Sequence, residues 1–267
     1  MNFKKFTAIA VVGLTLVAAL IGCADQKKED NTFTVGFDQD FPPFGYVDED
    51  GGYTGFDIEM AEECAKRMGK EIKLQPIDWN SKDLELSSGS IDCIWNGFTM
   101  NGREDKYTWT SAYMDNSQVF VVKADSGIKT QADLAGKYVT AQADSAALNA
   151  LNGEEFADLK ASFKELLTCS QYNTAFMDLD AGSVDAIAMD IGVARLQMEG
   201  REGEFVILEE PIVEEQYGVG FLLGNTELRD EVQATLEEMV KDGTFAKISE
   251  KWFGYDVCTI EVSEDEE

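Results

Sequence analysis

Short apolar runs, most of them rich in β-branched or aromatic residues, recur along the chain between polar stretches. "FTVGF" (33–37), "EIKLQ" (71–75), "IDCIW" (91–95), "QVFVVK" (118–123), "KYVTA" (137–141), "VDAIAM" (184–189), "EFVIL" (204–208) and "YGVGFLL" (217–223) have the length and makeup of strands. Stretches of helical period lie between and after them. In 56–68, Ala61, Cys64, Ala65 and Met68 share one face, and 226–241 and 244–252 make a helical pair near the end. Strand and helix in succession predict an α/β fold with mainly parallel sheets.

A repeat sharpens this expectation. "LSSGSIDCIWNG" (86–97) and "LDAGSVDAIAMD" (179–190) match as L-x-x-G-S-[I/V]-D-x-I at a constant offset of 93 residues, and Asn80 aligns with Asn173 at the same offset. Two homologous lobes follow. Ligands of open α/β sheets bind beyond the carboxyl ends of the strands. Gly97 and Asp190 occupy the same place at those ends, so two facing lobes bring both to one cleft. The loop 38–46, "DQDFPPFGY", follows strand 33–37 and belongs at the same end, with its aromatic rings toward the cleft.

Composition narrows the chemistry. The formal charge of −29 repels phosphate backbones, so nucleic acid is not an expected partner. There is no histidine, which removes the commonest general base and metal ligand near neutral pH. No P-loop occurs, and "GVGFLLG" (218–224) lacks the dinucleotide spacing. "DEDGGYTGFDIE" (48–59) has Asp48, Asp50 and Glu59 where a calcium loop has ligands, but Tyr53 stands where that loop needs glycine; a β-turn explains it better. No CxxC spacing suggests zinc, and neither a metal nor a cofactor is expected. Cys64 lies on an apolar helix face and Cys93 in a buried strand, where free thiols pack well, while the pairing of Cys64, Cys93, Cys169 and Cys258 stays open. Nothing assembles a nucleophile with its base. The pattern argues binding rather than turnover.

The first residues read as a targeting segment. Lys4 and Lys5 precede an apolar run from Phe6 to Ile21, shorter than the ~18 apolar residues that a spanning helix needs. "LIGC", ending at Cys23, resembles a bacterial lipobox, whose cysteine becomes the lipid-modified first residue of the mature protein. The polar stretch after Cys23 suits a tether, and "EVSEDEE" at the other end is a charge run expected to be disordered.

From about residue 33 to 255 the chain resembles the bacterial solute-binding proteins that feed polar amino acids to ABC importers. "FDQDFPPFGY", "GYTGFDIEMAEECAKRMG", "PIDWN", "GSIDCIWNGFTMNGRED", "DLAGKYVTAQADSAA", "GSVDAIAMD", "EEQYGVGF" and "DGTFAKISEKWFG" carry the resemblance in this order. It implies a type II periplasmic-binding-protein fold: two Rossmann-like α/β lobes joined by two crossing strands, at 118–123 and about 213–218, with the ligand cleft between them. The implied organisation is a signal peptide (1–22), a tether (23–32), a first segment of lobe 1 (33–117), lobe 2 (118–213), the second crossing with the C-terminal helices of lobe 1 (214–258) and an acidic tail (259–267).

The same resemblance implies a set of ligand contacts. Arg103 would offer a bidentate fork to the ligand's α-carboxylate, and Asp190 the counter-charge to its α-ammonium. Thr99, Gly97 and Ser145 would complete the clamp, with Ser145 at a predicted helix start whose free N–H groups attract an anion. Ala146 stands where the family often has glycine and can still expose its N–H. "TMNGR" is one residue shorter between Thr99 and Arg103 than the family's T-x-T-x-x-R. Phe41 and Trp79 would sandwich the ligand side chain, Phe44 and Tyr46 would support the loop, and Asp38 and Gln142 would read the tip. The implied partners are a polar amino acid, an ABC permease and ATPase, and a membrane reached through the lipid on Cys23, with the protein a monomer outside the cytoplasm. Glutamine, a basic residue or cystine all remain open as ligand. An enzyme on the same scaffold, such as a small carboxylic-acid dehydratase, and a sensory or adhesive lipoprotein are the alternatives.

Overall fold

The computed structural model of the chain describes residues 31–262. Cys23, the targeting segment and the last five residues of the acidic run lie outside them. Along the chain the strands are β1 (Thr32–Phe37), β2 (Asp40–Phe41), β3 (Gly45–Val47), β4 (Tyr53–Thr54), β5 (Glu71–Pro76), β6 (Cys93–Ile94) and β7 (Tyr107–Trp109). They continue as β8 (Met114–Lys123), β9 (Tyr138–Gln142), β10 (Glu165–Cys169), β11 (Ala186–Asp190), β12 (Phe205–Ile207), β13 (Val213–Tyr217) and β14 (Gly220–Leu222). The helices are α1 (Phe56–Arg67), α2 (Lys82–Ser88), α3 (Ala146–Asn152), α4 (Ala157–Ser162), α5 (Tyr172–Ala181), α6 (Ile191–Gln197), α7 (Thr226–Lys241) and α8 (Thr244–Phe253).

Two sheets form the lobes, in the orders β5-β1-β6-β14-β7 and β10-β9-β11-β8-β12. In each, three parallel strands are followed by an antiparallel one, β14 beside β6 and β8 beside β11. The sequence repeat is therefore a structural repeat. Asp92 and Asp185, equivalent at the offset of 93, play one part in both copies: the carboxylate of Asp92 accepts from Thr34 N (2.7 Å) and that of Asp185 from Tyr138 N (2.8 Å). The glycines before them, Gly89 and Gly182, end α2 and α5 in the left-handed conformation that glycine adopts without steric penalty.

The cores follow the predicted periodicities. On β11 Ile187 and Met189 face one apolar cluster, and Ala186 and Ala188 face another with Phe120, Val122, Val139 and Ala141, so this strand is buried on both sides. Helix α1 buries Ile58, Met60, Ala61, Cys64 and Ala65, and α7 buries Val232, Leu236 and Met239. Gly55 precedes α1 because a Cβ there would stand 2.2 Å from the Phe44 carbonyl oxygen. The four described cysteines are free thiols; Cys64 and Cys93 are fully buried, as their helix and strand positions predicted.

The chain passes between the sheets twice. It leaves β7, enters β8, and returns from β13 to β14. The paired crossing is Met114–Gln118 against Val213–Tyr217, antiparallel, so the first crossing begins earlier than the apolar run 118–123 suggested. Its first half, "MDNSQ", is too polar to read as a strand. The run 217–223 is likewise divided between the end of β13 and β14. The loop 38–54 holds a small three-stranded sheet, β2-β3-β4, and "DEDGG" is its hairpin turn, with Asp48 Oδ1 accepting from Asp50 N and Gly52 N. Strands β7 and β10 were not predicted: one is three residues long, and the other is a half-exposed edge strand without clear alternation.

Thr259 and Ile260, assigned to the acidic tail from sequence, are packed. Thr259 N donates to Tyr113 O (3.1 Å), and the Ile260 side chain joins the core of the first lobe. Ile260→Ala should therefore cost about 2–4 kcal/mol of stability in urea unfolding. Unchanged stability would mean that this segment adds nothing to the core.

Candidate functional site

A small cavity lies where the two sheets face each other. Phe41, Trp79, Asn96, Gly97, Thr99 and Arg103 line it from the first lobe, and Gln142, Ser145, Ala146, Tyr172 and Asp190 from the second; Gln118 reaches it from the crossing strand β8. Every ligand contact expected from sequence is on this list except Asp38, which sits directly behind. Asp38 Oδ2 accepts from Gln142 Nε2 (2.7 Å), and its Oδ1 accepts from Asp40 N (2.9 Å). Burial raises the Asp38 carboxyl above its ordinary range.

Each lining group has a local cause. Arg103 follows a turn in which its N–H donates to Met100 O and Gly102 takes φ +75°, and this turn absorbs the shortening of "TMNGR". The guanidinium is buried, donates to Thr99 O (3.1 Å) and Asp144 O (3.0 Å), and stacks 5.2 Å from the Phe98 ring. Gly97 has φ +53°, and a Cβ there would come 3.1 Å from Phe41 and 3.2 Å from Tyr217. Its N–H donates to Asp57 Oδ2 (2.5 Å), a carboxylate buried on α1 that also accepts from the Tyr113 hydroxyl. Ser145 caps α3, its Oγ accepting from Leu148 N (3.1 Å). Asp190 caps α6, with Oδ1 accepting from Val193 N (3.0 Å) and Oδ2 from Asn116 Nδ2 (2.6 Å). Capping and lining the cavity are thus compatible roles for both residues.

The loop's rings do not all face the cleft. Phe41 and Trp79 reach the cavity, whereas Phe44 packs on Tyr217 and Phe253, and Tyr46 meets Trp252 edge to face. Tyr172 was missed, although it stands 93 residues after Trp79 and is its counterpart in the repeat; it packs against Phe41 with centroids 6.1 Å apart. Sequence reasoning also missed Asn116, Gln118 and Glu215, all on the crossing strands. The buried carboxylate of Glu215 accepts from Thr99 Oγ1 (2.8 Å), Asn116 Nδ2 (2.7 Å) and Gln118 Nε2 (2.6 Å).

Several contacts run between the lobes. Besides Asp38–Gln142 and Arg103–Asp144 O, the buried Lys82 on α2 pairs with Asp144, and Gln171 Nε2 donates to Asp40.

Residues 33–255 match the family described as bacterial extracellular solute-binding proteins, family 3. The chain belongs to that family. It is a family of binding proteins, not of enzymes. The chain is similar to the L-cystine-binding protein TcyJ of Escherichia coli (strain K12), with 32% identity over 259 residues, 93% of this chain and 95% of the relative. A Streptococcus pneumoniae ABC uptake transporter substrate-binding protein, solved with bound histidine, superposes with a TM-score of 0.82 at 34% identity, covering 86% of this chain and 95% of that one. An ancestral arginine-binding protein bound to arginine gives a TM-score of 0.77 at 36% identity, covering 84% and 99%. No helix among the described residues is long and apolar enough to cross a membrane.

Burial pushes the Asp57 carboxyl up to about 7, against the lowering by the Gly97 N–H and the Tyr113 hydroxyl. Its folded-state pKa is raised, so its contribution to stability is present in acid and is lost as pH rises through about 7. Relative to Asp57→Asn, the parent should lose up to about 4 kcal/mol between about pH 4 and about pH 7 in urea unfolding. Parallel pH profiles for the two proteins would contradict this.

Proposed function

We propose that this protein captures a polar amino acid between its lobes, outside the cytoplasm, and delivers it to an ABC importer. One observation carries the reading: a buried guanidinium, Arg103, and a buried carboxylate, Asp190, reach the same small cavity from opposite lobes. A zwitterion fits such a pair. Its carboxylate takes the Arg103 fork and its ammonium takes Asp190, while Thr99, Gly97, Ser145 and Ala146 surround the common part. Phe41 and Trp79, joined by Tyr172, flank the side chain, and Gln142, held by Asp38, meets its tip. That relatives and structural neighbours bind cystine, histidine and arginine supports an amino-acid ligand.

In this reading the lobes are 33–117 with 214–258, and 118–213, and they close on ligand as a monomer by rotation about the crossing strands. Cys23 carries the lipid that holds the protein at the membrane, within reach of a permease and its ATPase.

A thermal-shift screen of the proteinogenic amino acids and cystine identifies the ligand; at 100 times its Kd, a ligand adds about 2.7 kcal/mol. With that ligand, Arg103→Ala and Asp190→Ala should each weaken binding at least about 30-fold by calorimetry, because each leaves a partner charge desolvated and unpaired. Binding by Arg103→Ala as tight as the parent's would show that another group holds the carboxylate.

A further inference from the structure

The crossing places two acids around one strand. Asp190 lies opposite Gln118 on one edge of β8, and Glu215 lies opposite Asn116 on the other edge. Both acids are almost fully buried, at 1% and 3% exposure. The single amide nitrogen of Asn116 lies 2.6 Å from Asp190 Oδ2 and 2.7 Å from Glu215 Oε1, so the two carboxylates approach within the span of one bridging group. Two carboxylates bridged by one amide and this buried disfavour each other's ionisation, and a cation that joined them would relieve it.

The surrounding charges do not supply that cation to Asp190. Arg103 faces Glu215 from the turn after β6, with its guanidinium donating to the carbonyls of Thr99 and Asp144. Tyr172 faces the pair from α5, held neutral by burial. On the far side, Arg195, Glu199, Glu202 and Glu214 line an open groove behind the crossing strands, where Glu215 is also in reach. Burial first, then the Glu215 charge, hold Asp190 well above the usual carboxylate range, and burial raises Glu215 as well. A further polar atom points to what is missing. Gln118 donates its amide to Glu215, but its Oε1 is buried without a hydrogen-bond partner, and the residue lines the cavity. It is an acceptor awaiting a donor.

We propose that Glu215 is a positioning residue of the ammonium end of the cavity, sharing one proton with Asp190 when no ligand is bound, and that the entering ammonium of an amino acid displaces this proton while donating to Asp190 and Gln118 Oε1. This rests on the functional reading above. The charge balances: the empty pair carries one proton and a net charge of −1, and the loaded pair is doubly ionised beside one ammonium. The released proton goes to solvent. Glu215 meanwhile orients Thr99, Asn116 and Gln118, the groups that meet or support the ligand.

The test is calorimetry with whichever of L-arginine, L-glutamine and L-cystine binds best, in two buffers of different ionisation enthalpy near about pH 6, where these α-ammonium groups stay protonated. The parent should release close to one proton per ligand, and its affinity should rise up to about tenfold per pH unit before levelling off. Glu215→Gln should release fewer protons than the parent and show a shallower affinity profile, because burial alone still holds part of the proton on Asp190. Gln118→Leu, which leaves both acids in place, should keep the proton release and lose about tenfold in affinity. Binding by the parent without proton release, or equal release by parent and Glu215→Gln, would overturn the proposal. If none of the three amino acids binds, the functional reading itself fails, which is a separate result.

Discussion

The placement of strand β8 between β11 and β13 is the constraint on which the rest of the site depends. Its antiparallel pairing on both edges fixes where Asp190 and Glu215 stand, and its own Asn116 and Gln118 hold them. Acids buried this deeply cost several kcal/mol each unless paired or protonated. The fold carries that cost where the two lobes meet. A zwitterion between the lobes would offset it at one end through its ammonium, and at the other it would satisfy Arg103. The lobes are therefore held by their own contacts, among them Asp38–Gln142 and Lys82–Asp144, while the centre of the cleft is left for a charged guest.

The internal repeat explains how both lobes contribute equivalent chemistry. Asp92 and Asp185 tie the third parallel strand of each sheet to the first, and this sets where each strand ends. The residues at those ends, Gly97 and Asp190, then diverge. One is a glycine whose backbone can approach closely, and the other is an acid that caps α6 and lines the cavity. Trp79 and Tyr172, again 93 residues apart, bring an aromatic ring to the cavity from each side. One supersecondary unit, used twice and facing itself, gives a pocket with two kinds of end.

Much of this was legible in the sequence. Strands β1, β9 and β11 and helices α1, α7 and α8 announced themselves because they bury apolar faces, and hydrophobic periodicity reports burial. The lining residues other than Tyr172, Asn96 and Gln118 were named from the family resemblance, and only Gly97 and Asp190 were also placed by the repeat at strand ends. The crossing strands were the blind spot. "MDNSQ" and "VEEQY" form strands whose side chains face a polar cleft and an open groove, so they carry no apolar alternation. Glu215 was hidden for the same reason: nothing local separates it from the exposed Glu214 beside it, and only the pairing with Asn116 sends it inward. Tyr172 could have been found by applying the repeat offset to Trp79. Ile260 precedes a charge run, and the segment is held by a backbone bond from its neighbour Thr259 N to Tyr113 O that composition does not encode.

Small-angle X-ray scattering of the protein, with and without a saturating amount of the amino acid that binds best, tests the central claim most directly. Capture between closing lobes requires an open population in the free protein, so the ligand should reduce the radius of gyration and shift the profile to that of the closed structure described above. An unchanged profile at saturation would contradict capture by closure.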